Sequence, residues 1–219
     1  MDEAQTLGAF IAARGRKVRV RSGEVLFREG DVSSAVYAII SGRINLFITT
    51  PTGRDLILGF KVPVQGFGEL SAIDAGPRSA SAVAMESTLI AQMTGDEFLD
   101  ELQHVPVLSL VVLRGLAEQL RALNTRISAR SSDHTPQRVG QLLIELAVKF
   151  RRHSPTAGSV VIPVSQEEVA AWVGSTREAT ARALALFRKA GAVETGRNRI
   201  VIADGNALLE VMRASADSL

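Results

Sequence analysis

The sequence predicts an α+β chain in three parts: an N-terminal antiparallel β-roll, a long helix and a C-terminal winged helix-turn-helix. Three observations lead there. Residues 18–94 hold short apolar, β-branched runs separated by turn signals. Beyond Gly95 the apolar period lengthens to that of a helix. Residues 165–191 then show two helices, each marked at its start, around a central glycine.

The strand candidates are "AVYAII", "INLFIT", "LILGF" and "TLIAQM". They are broken at Ser22-Gly23, Glu29-Gly30-Asp31, Ser41-Gly42 and Thr52-Gly53. Strands at this spacing suit a compact antiparallel roll or barrel. The pattern alone fits a plain β-sandwich without a ligand equally well.

In the long helix Leu113, Leu116, Leu120, Leu123 and Ile127 recur at alternating spacings of three and four. That is a coiled-coil seam between polar flanks at Glu118, Arg121 and Arg126, and it points to a homodimer. Packing on the roll is the alternative. "RSSDHTPQ" reads as a hinge, with Thr135 capping a new helix and Pro136 at its first position. An amphipathic helix "RVGQLLIELAVKF" and a strand "SVVIPV" follow. "RNRIVIAD" is a second strand after a turn at Thr195-Gly196.

Ser165 and Glu168 have capping-box spacing, Ser175 and Glu178 repeat it, and Gly174 lies between as a tight turn. At about 100° per residue, Thr180, Ala183, Leu184 and Phe187 of the second helix share one face. Arg177, Glu178, Ala181 and Arg182 share the other. Arginine can bond guanine O6 and N7 in a fork, and a carboxylate can accept from the cytosine amino group, so this face suits DNA readout. A solvated helix of mixed charge is the competing reading. Arg197 and Arg199 flank the wing and suit phosphate contacts. Residues 177–199 carry six basic and two acidic side chains, against a formal charge of +2 for the whole chain, which agrees with nucleic-acid contact.

At 219 residues the chain suits one large domain or two small ones. It has no cysteine, which excludes disulfides, thiolate metal sites and cysteine-held iron–sulfur clusters. The acidic start lacks a signal-peptide pattern and no aliphatic run approaches a membrane span. A cytoplasmic protein without a membrane partner is expected. His104, His134 and His153 are scattered, as surface histidines are, so neither haem nor a metal is expected. No nucleophile–base pair or P-loop spacing occurs, and the chain is not expected to be an enzyme.

One stretch remains, "GFGELSAIDAGPRSASA" at residues 66–82: a glycine turn, a lone Glu69, small residues, then Arg78-Ser79-Ala80. Such a set can hold a sugar hydroxyl and a phosphate. A structural Glu69–Arg78 ion pair is the alternative. "FGEL…PRSAS" and "VGSTREATARAL" resemble the cyclic-AMP receptor protein family, the catabolite activator and fumarate–nitrate regulator group, over almost the whole chain. The resemblance implies a cyclic-nucleotide-binding roll at 1–105, a dimerisation helix and hinge at 106–135, and a winged helix-turn-helix at 136–219. It implies cAMP as allosteric ligand, with cGMP possible, held by Gly68, Glu69, Leu70, Arg78, Ser79 and Ala80. Arg177, Glu178 and Arg182 match the family's base-reading positions, and Thr176, Gln166, Arg197 and Arg199 complete the DNA set. Half-sites like TGTGA in an inverted repeat, a homodimer, double-stranded DNA and RNA polymerase are the implied partners.

The departures lie in the base half of the pocket. Leu123 and Asn124 fall where the best-known members carry hydroxyl residues facing the adenine. Gln119 stands where they carry an arginine, and His134 where an aspartate is common at the hinge. The phosphate and ribose half is intact, so the expected ligand is cAMP with weakened base discrimination. A regulator of the same architecture sensing another small molecule, or none, and a cyclic-nucleotide module acting on a protein partner are the remaining readings.

Overall fold

Strand β3 (Val36–Ser41) is apolar on both faces because both faces are covered. Tyr37 and Ile39 point into the roll, while Val36 and Ala38 meet helices. The chain is described here from a computed structural model, for residues 3–53, 55–132, 134–150 and 159–215, without the side chains of 3–6 and 125–132.

Two four-stranded sheets build the roll. One has β1 (Arg16–Val20), β8 (Thr88–Met93), β3 and β6 (Gly66–Phe67) in the order β1-β8-β3-β6. The other has β2 (Val25–Phe27), β7 (Ser81–Ala84), β4 (Ile44–Thr49) and β5 (Asp55–Lys61) in the order β2-β7-β4-β5. All neighbours pair antiparallel. Val20, Phe27, Tyr37, Ile39, Ile44, Phe67 and Ile90 fill the space between the sheets. β1 is an edge strand, and its Arg16, Lys17 and Arg19 are exposed.

Helix α1 (Glu3–Arg14), which no strong apolar period marks in the sequence, covers the outer face of β3 and β8 with Leu7 and Ile11. α2 (Glu69–Ile73) is a short turn of helix after β6. α3 (Gly95–His104) starts at a reciprocal Thr94/Glu97 capping box, and the Thr94 backbone and hydroxyl hold the Glu97 carboxyl below its usual pKa. Phe98 of α3, with Leu108 and Val112 of α4 (Pro106–Ser132), completes the outer core.

The chain divides into two compact units, residues 1–123 and 124–219, and the boundary falls within α4. The second unit holds α5 (Thr135–Phe150), β9 (Val160–Ile162), α6 (Gln166–Val173), α7 (Arg177–Lys189), β10 (Val193–Gly196), β11 (Arg199–Ile202) and α8 (Gly205–Ala214). Its sheet has the antiparallel order β10-β11-β9. Val139, Leu143 and Leu146 of α5 are buried with Val169 and Trp172 of α6 and Leu184 and Phe187 of α7.

Three local expectations are corrected. α7 is capped by Thr176, whose hydroxyl accepts from Ala179 N–H at 3.2 Å, so the Ser175/Glu178 box does not form. The hairpin turn lies at Arg197-Asn198 rather than Thr195-Gly196, because Asn198 takes the left-handed conformation (φ 54°) and Gly196 pairs with Arg199. α5 begins at Thr135, which is therefore inside the helix; the Gln137 side chain accepts from His134 N–H at 2.7 Å.

Candidate functional site

The candidate site is built from the end of β6 outward. Gly68 follows that strand at φ 85°, a left-handed conformation that turns the chain into α2. A Cβ there would stand 2.9 Å from Nη1 of Arg78 and 3.1 Å from the Ala35 carbonyl, so glycine is required for space as well as for backbone angle. Glu69, the first residue of α2, is 6% exposed and accepts from Gln119 Nε2 of α4 at 3.4 Å.

Arg78 lies in the loop between α2 and β7. Its backbone is fixed by Gly30 N–H donating to its carbonyl at 2.8 Å and by its own N–H donating to Asp31 O at 2.9 Å. The side chain is 3% exposed. Nη1 donates to Gly68 O at 2.9 Å and Ser71 Oγ at 2.7 Å, and Nη2 to Ser33 Oγ at 3.1 Å and Ala35 O at 2.6 Å. The guanidinium stands 4.2 Å above the Phe27 ring. Phe27 stacks on Tyr37 at 5.7 Å and Tyr37 on Phe67 at 5.2 Å, forming an aromatic floor. A desolvated cation over such a ring gains about 2 kcal/mol.

Burial lowers the pKa of Arg78, and the neighbouring Tyr37, Glu69 and Asp31 offset this only in part. Burial likewise raises the Tyr37 phenol, against the pull of Arg78. Glu69 and Arg78 do not form an ion pair: the four acceptors of the guanidinium are two carbonyls and two hydroxyls. A buried cation among neutral acceptors has unmet affinity for an anion. The buried Glu69 carboxylate accepts hydroxyl donors. Together they suit a ligand with a hydroxyl and a single negative charge.

Ala80 is 7% exposed, Ser79 is exposed and Leu70 is 39% exposed. Leu123 and Asn124 are exposed at the unit boundary. Ser33, Ser71, Phe27 and Tyr37 were not anticipated; Ser33 lies 45 residues from Arg78, a distance no local motif spans.

In the second unit, Ser165 and Glu168 form the expected capping box and Gly174 closes α6 at φ 64°. Thr180, Ala183, Leu184 and Phe187 are buried, while Thr176, Arg177, Glu178, Ala181 and Arg182 are exposed. Arg177 Nη1 meets Glu167 Oε1 at 2.9 Å across the turn. Gln166 is half-buried, and Arg197 and Arg199 are exposed on the hairpin.

Among the seam candidates, Leu113, Leu120 and Leu123 are 61%, 59% and 50% exposed, whereas Leu116 packs against the outer core of the roll. The Ile127 side chain and all of His153 lie outside the described residues. His104 is exposed and contacts Asp100, and His134 is exposed. Among the described residues no cluster of three or more acidic, histidine or cysteine side chains could hold a metal ion, and no helix is long and apolar enough to cross a membrane.

Residues 17–105 match the family described as Cyclic nucleotide-binding domain, and residues 137–211 the Crp-like helix-turn-helix domain. The CRP-like cAMP-activated global transcriptional regulator of Mycobacterium tuberculosis is 33% identical over 186 residues, 85% of this chain and 83% of that protein. The transcriptional activator protein FnrA of Stutzerimonas stutzeri is 28% identical over 209 residues, 95% of this chain and 84% of that protein. The solved structure of FixK2 from Bradyrhizobium japonicum shares the fold, with a TM-score of 0.77 over 90% of this chain and 96% of that one at 21% identity. With a nucleotide-binding roll, a helix-turn-helix head and relatives that are regulators rather than enzymes, the chain belongs to the CRP/FNR family of transcription regulators.

Proposed function

We propose that the protein is a cytoplasmic, cAMP-responsive homodimer that binds an inverted repeat of TGTGA-like half-sites and acts on RNA polymerase. The buried Arg78, bonded only to neutral acceptors and set beside the buried Glu69, carries the ligand reading. An anion compensates the buried Arg78 charge, and a ribose 2′-hydroxyl donates to Glu69. The Mycobacterium relative, named as cAMP-activated, supports cAMP as that anion. The exposed leucines of α4 supply the dimer seam, and two-fold half-sites require two heads. Calorimetric titration with cAMP and cGMP tests the ligand reading, and absence of heat with both ends it.

Arg177→Ala should remove a guanine fork, costing about 1–3 kcal/mol and relaxing preference at one base pair. Arg199→Ala should instead weaken all sequences alike and flatten the salt dependence. Binding to a panel of singly substituted duplexes separates the two. Equal loss on every duplex for the Arg177 variant would end its base-reading role.

The base half gives a further expectation. The Leu123 side chain cannot accept a hydrogen bond from an adenine amino group, so substantial DNA binding without ligand and weak discrimination between cAMP and cGMP follow. Leu123→Thr should sharpen both ligand dependence and the cAMP preference. The measurement is DNA affinity with and without each nucleotide; a strictly cAMP-dependent wild type would assign base reading to another residue.

A further inference from the structure

A guanidinium carries five N–H donors in a fixed fork. In Arg78 four are taken: Gly68 O and Ser71 Oγ accept from Nη1, Ser33 Oγ and Ala35 O from Nη2. Only Nε, which is buried, has no acceptor. An oxyanion is held best by two parallel N–H groups. The edge of the guanidinium that carries Nε–H also carries an Nη2 donor. A fork on that edge therefore needs Nη2 as well, and Nη2 is engaged.

The two acceptors on Nη2 differ in how readily they yield. Ala35 O is backbone, one residue before β3, bound at 2.6 Å. Ser33 Oγ is bound at 3.1 Å from a half-buried loop position between β2 and β3. A hydroxyl there can rotate towards water, while a backbone carbonyl can turn away only if the main chain leading into β3 moves with it. Ser33 is the acceptor that gives way.

We infer that the Ser33 hydroxyl occupies the place a ligand phosphate oxygen takes, so that it competes with the ligand for Nη2 of Arg78 and sets the pocket's affinity. This rests on the reading of the pocket as a cyclic-nucleotide site. Ser33→Ala leaves Arg78 anchored by its other three bonds and frees one Nη2 donor. A hydrogen bond that no longer has to be exchanged corresponds to about a 2- to 10-fold gain in affinity. Ser71 differs in role: it lies 7 residues away on α2, bonds Nη1 and is buried, so it anchors the end of the guanidinium remote from Nε.

Calorimetric titration of the full chain with cAMP tests this for wild type, Ser33→Ala and Ser33→Thr. The expected result is tighter binding by Ser33→Ala and wild-type binding by Ser33→Thr, which keeps the hydroxyl. Equal or weaker binding by Ser33→Ala, with wild type binding normally, overturns the competition and leaves the ligand reading standing. Tighter binding by both variants assigns the gain to loop packing and also overturns it. No heat from wild type or either variant, with cAMP or cGMP, overturns the ligand reading and the inference with it.

Discussion

Arg78→Ala is expected to abolish cyclic-nucleotide binding. The side chain is 3% exposed, so its charge acts in a low-dielectric setting where one lost partner of a buried ionic contact costs roughly 2–5 kcal/mol. That is a loss of about 30- to several-thousand-fold in affinity. The same change leaves Gly68 O, Ser71, Ser33 and Ala35 O without their donor, so the roll itself should loosen around α2. Arg78→Lys separates the two effects. It keeps the charge but offers three N–H donors in place of five, so it should bind weakly rather than not at all. Calorimetry reads the ligand and a thermal melt without ligand reads the fold. Wild-type affinity in Arg78→Ala would remove the phosphate from this position.

Leu120→Glu is expected to give monomers that have lost specific DNA binding. Leu120 is 59% exposed, with Leu113 and Leu123 similarly open along the same helix. A parallel two-stranded seam would place residue 120 close to its symmetry mate, so the substitution sets two carboxylates together in a region that association would dry. Unpaired charges there cost several kcal/mol if they stay buried. A single head offers half the contacts of a two-fold site, so specific affinity falls with the dimer. Sedimentation at micromolar concentration gives the first readout and a cognate duplex the second. A wild type that sediments as a monomer would remove the seam.

The parts of the fold that were readable in the sequence are those set by neighbours along the chain. Ser165, Glu168 and Gly174 mark α6 because caps and left-handed turns are decided within a few residues, and all three act as expected. The buried face of α7 follows from helical period alone. Where two adjacent residues could serve, the sequence did not choose between them. Ser175 and Thr176 are both capping types, and the choice falls to Thr176, while the Ser175 hydroxyl lies 3.4 Å from that of Thr135, forty residues earlier. At the hairpin, glycine drew the expected turn to Thr195-Gly196, but Asn198 tolerates the same left-handed angle and sits there. Leu116 shows the limit of periodicity: a leucine repeat names a helix face without saying what covers it. The Arg78 cradle was legible in Gly68, Glu69 and Arg78 and not in Ser33 or Phe27, which the roll brings in from another strand and loop.

The edge strand β1 bears on how the protein behaves at high concentration. Among the described residues no strand pairs with its outer side, and an open strand edge is a template on which another chain can add. Arg16, Lys17 and Arg19 guard that edge by mutual repulsion between copies, a defence that works through long-range charge and fades within about 8 Å at physiological salt. Colloidal stability of the roll is therefore coupled to ionic strength. Dilute salt keeps copies apart, whereas strong salt or a polyanion that neutralises the row opens a route to edge-to-edge aggregation that leaves the ligand pocket and the DNA head untouched.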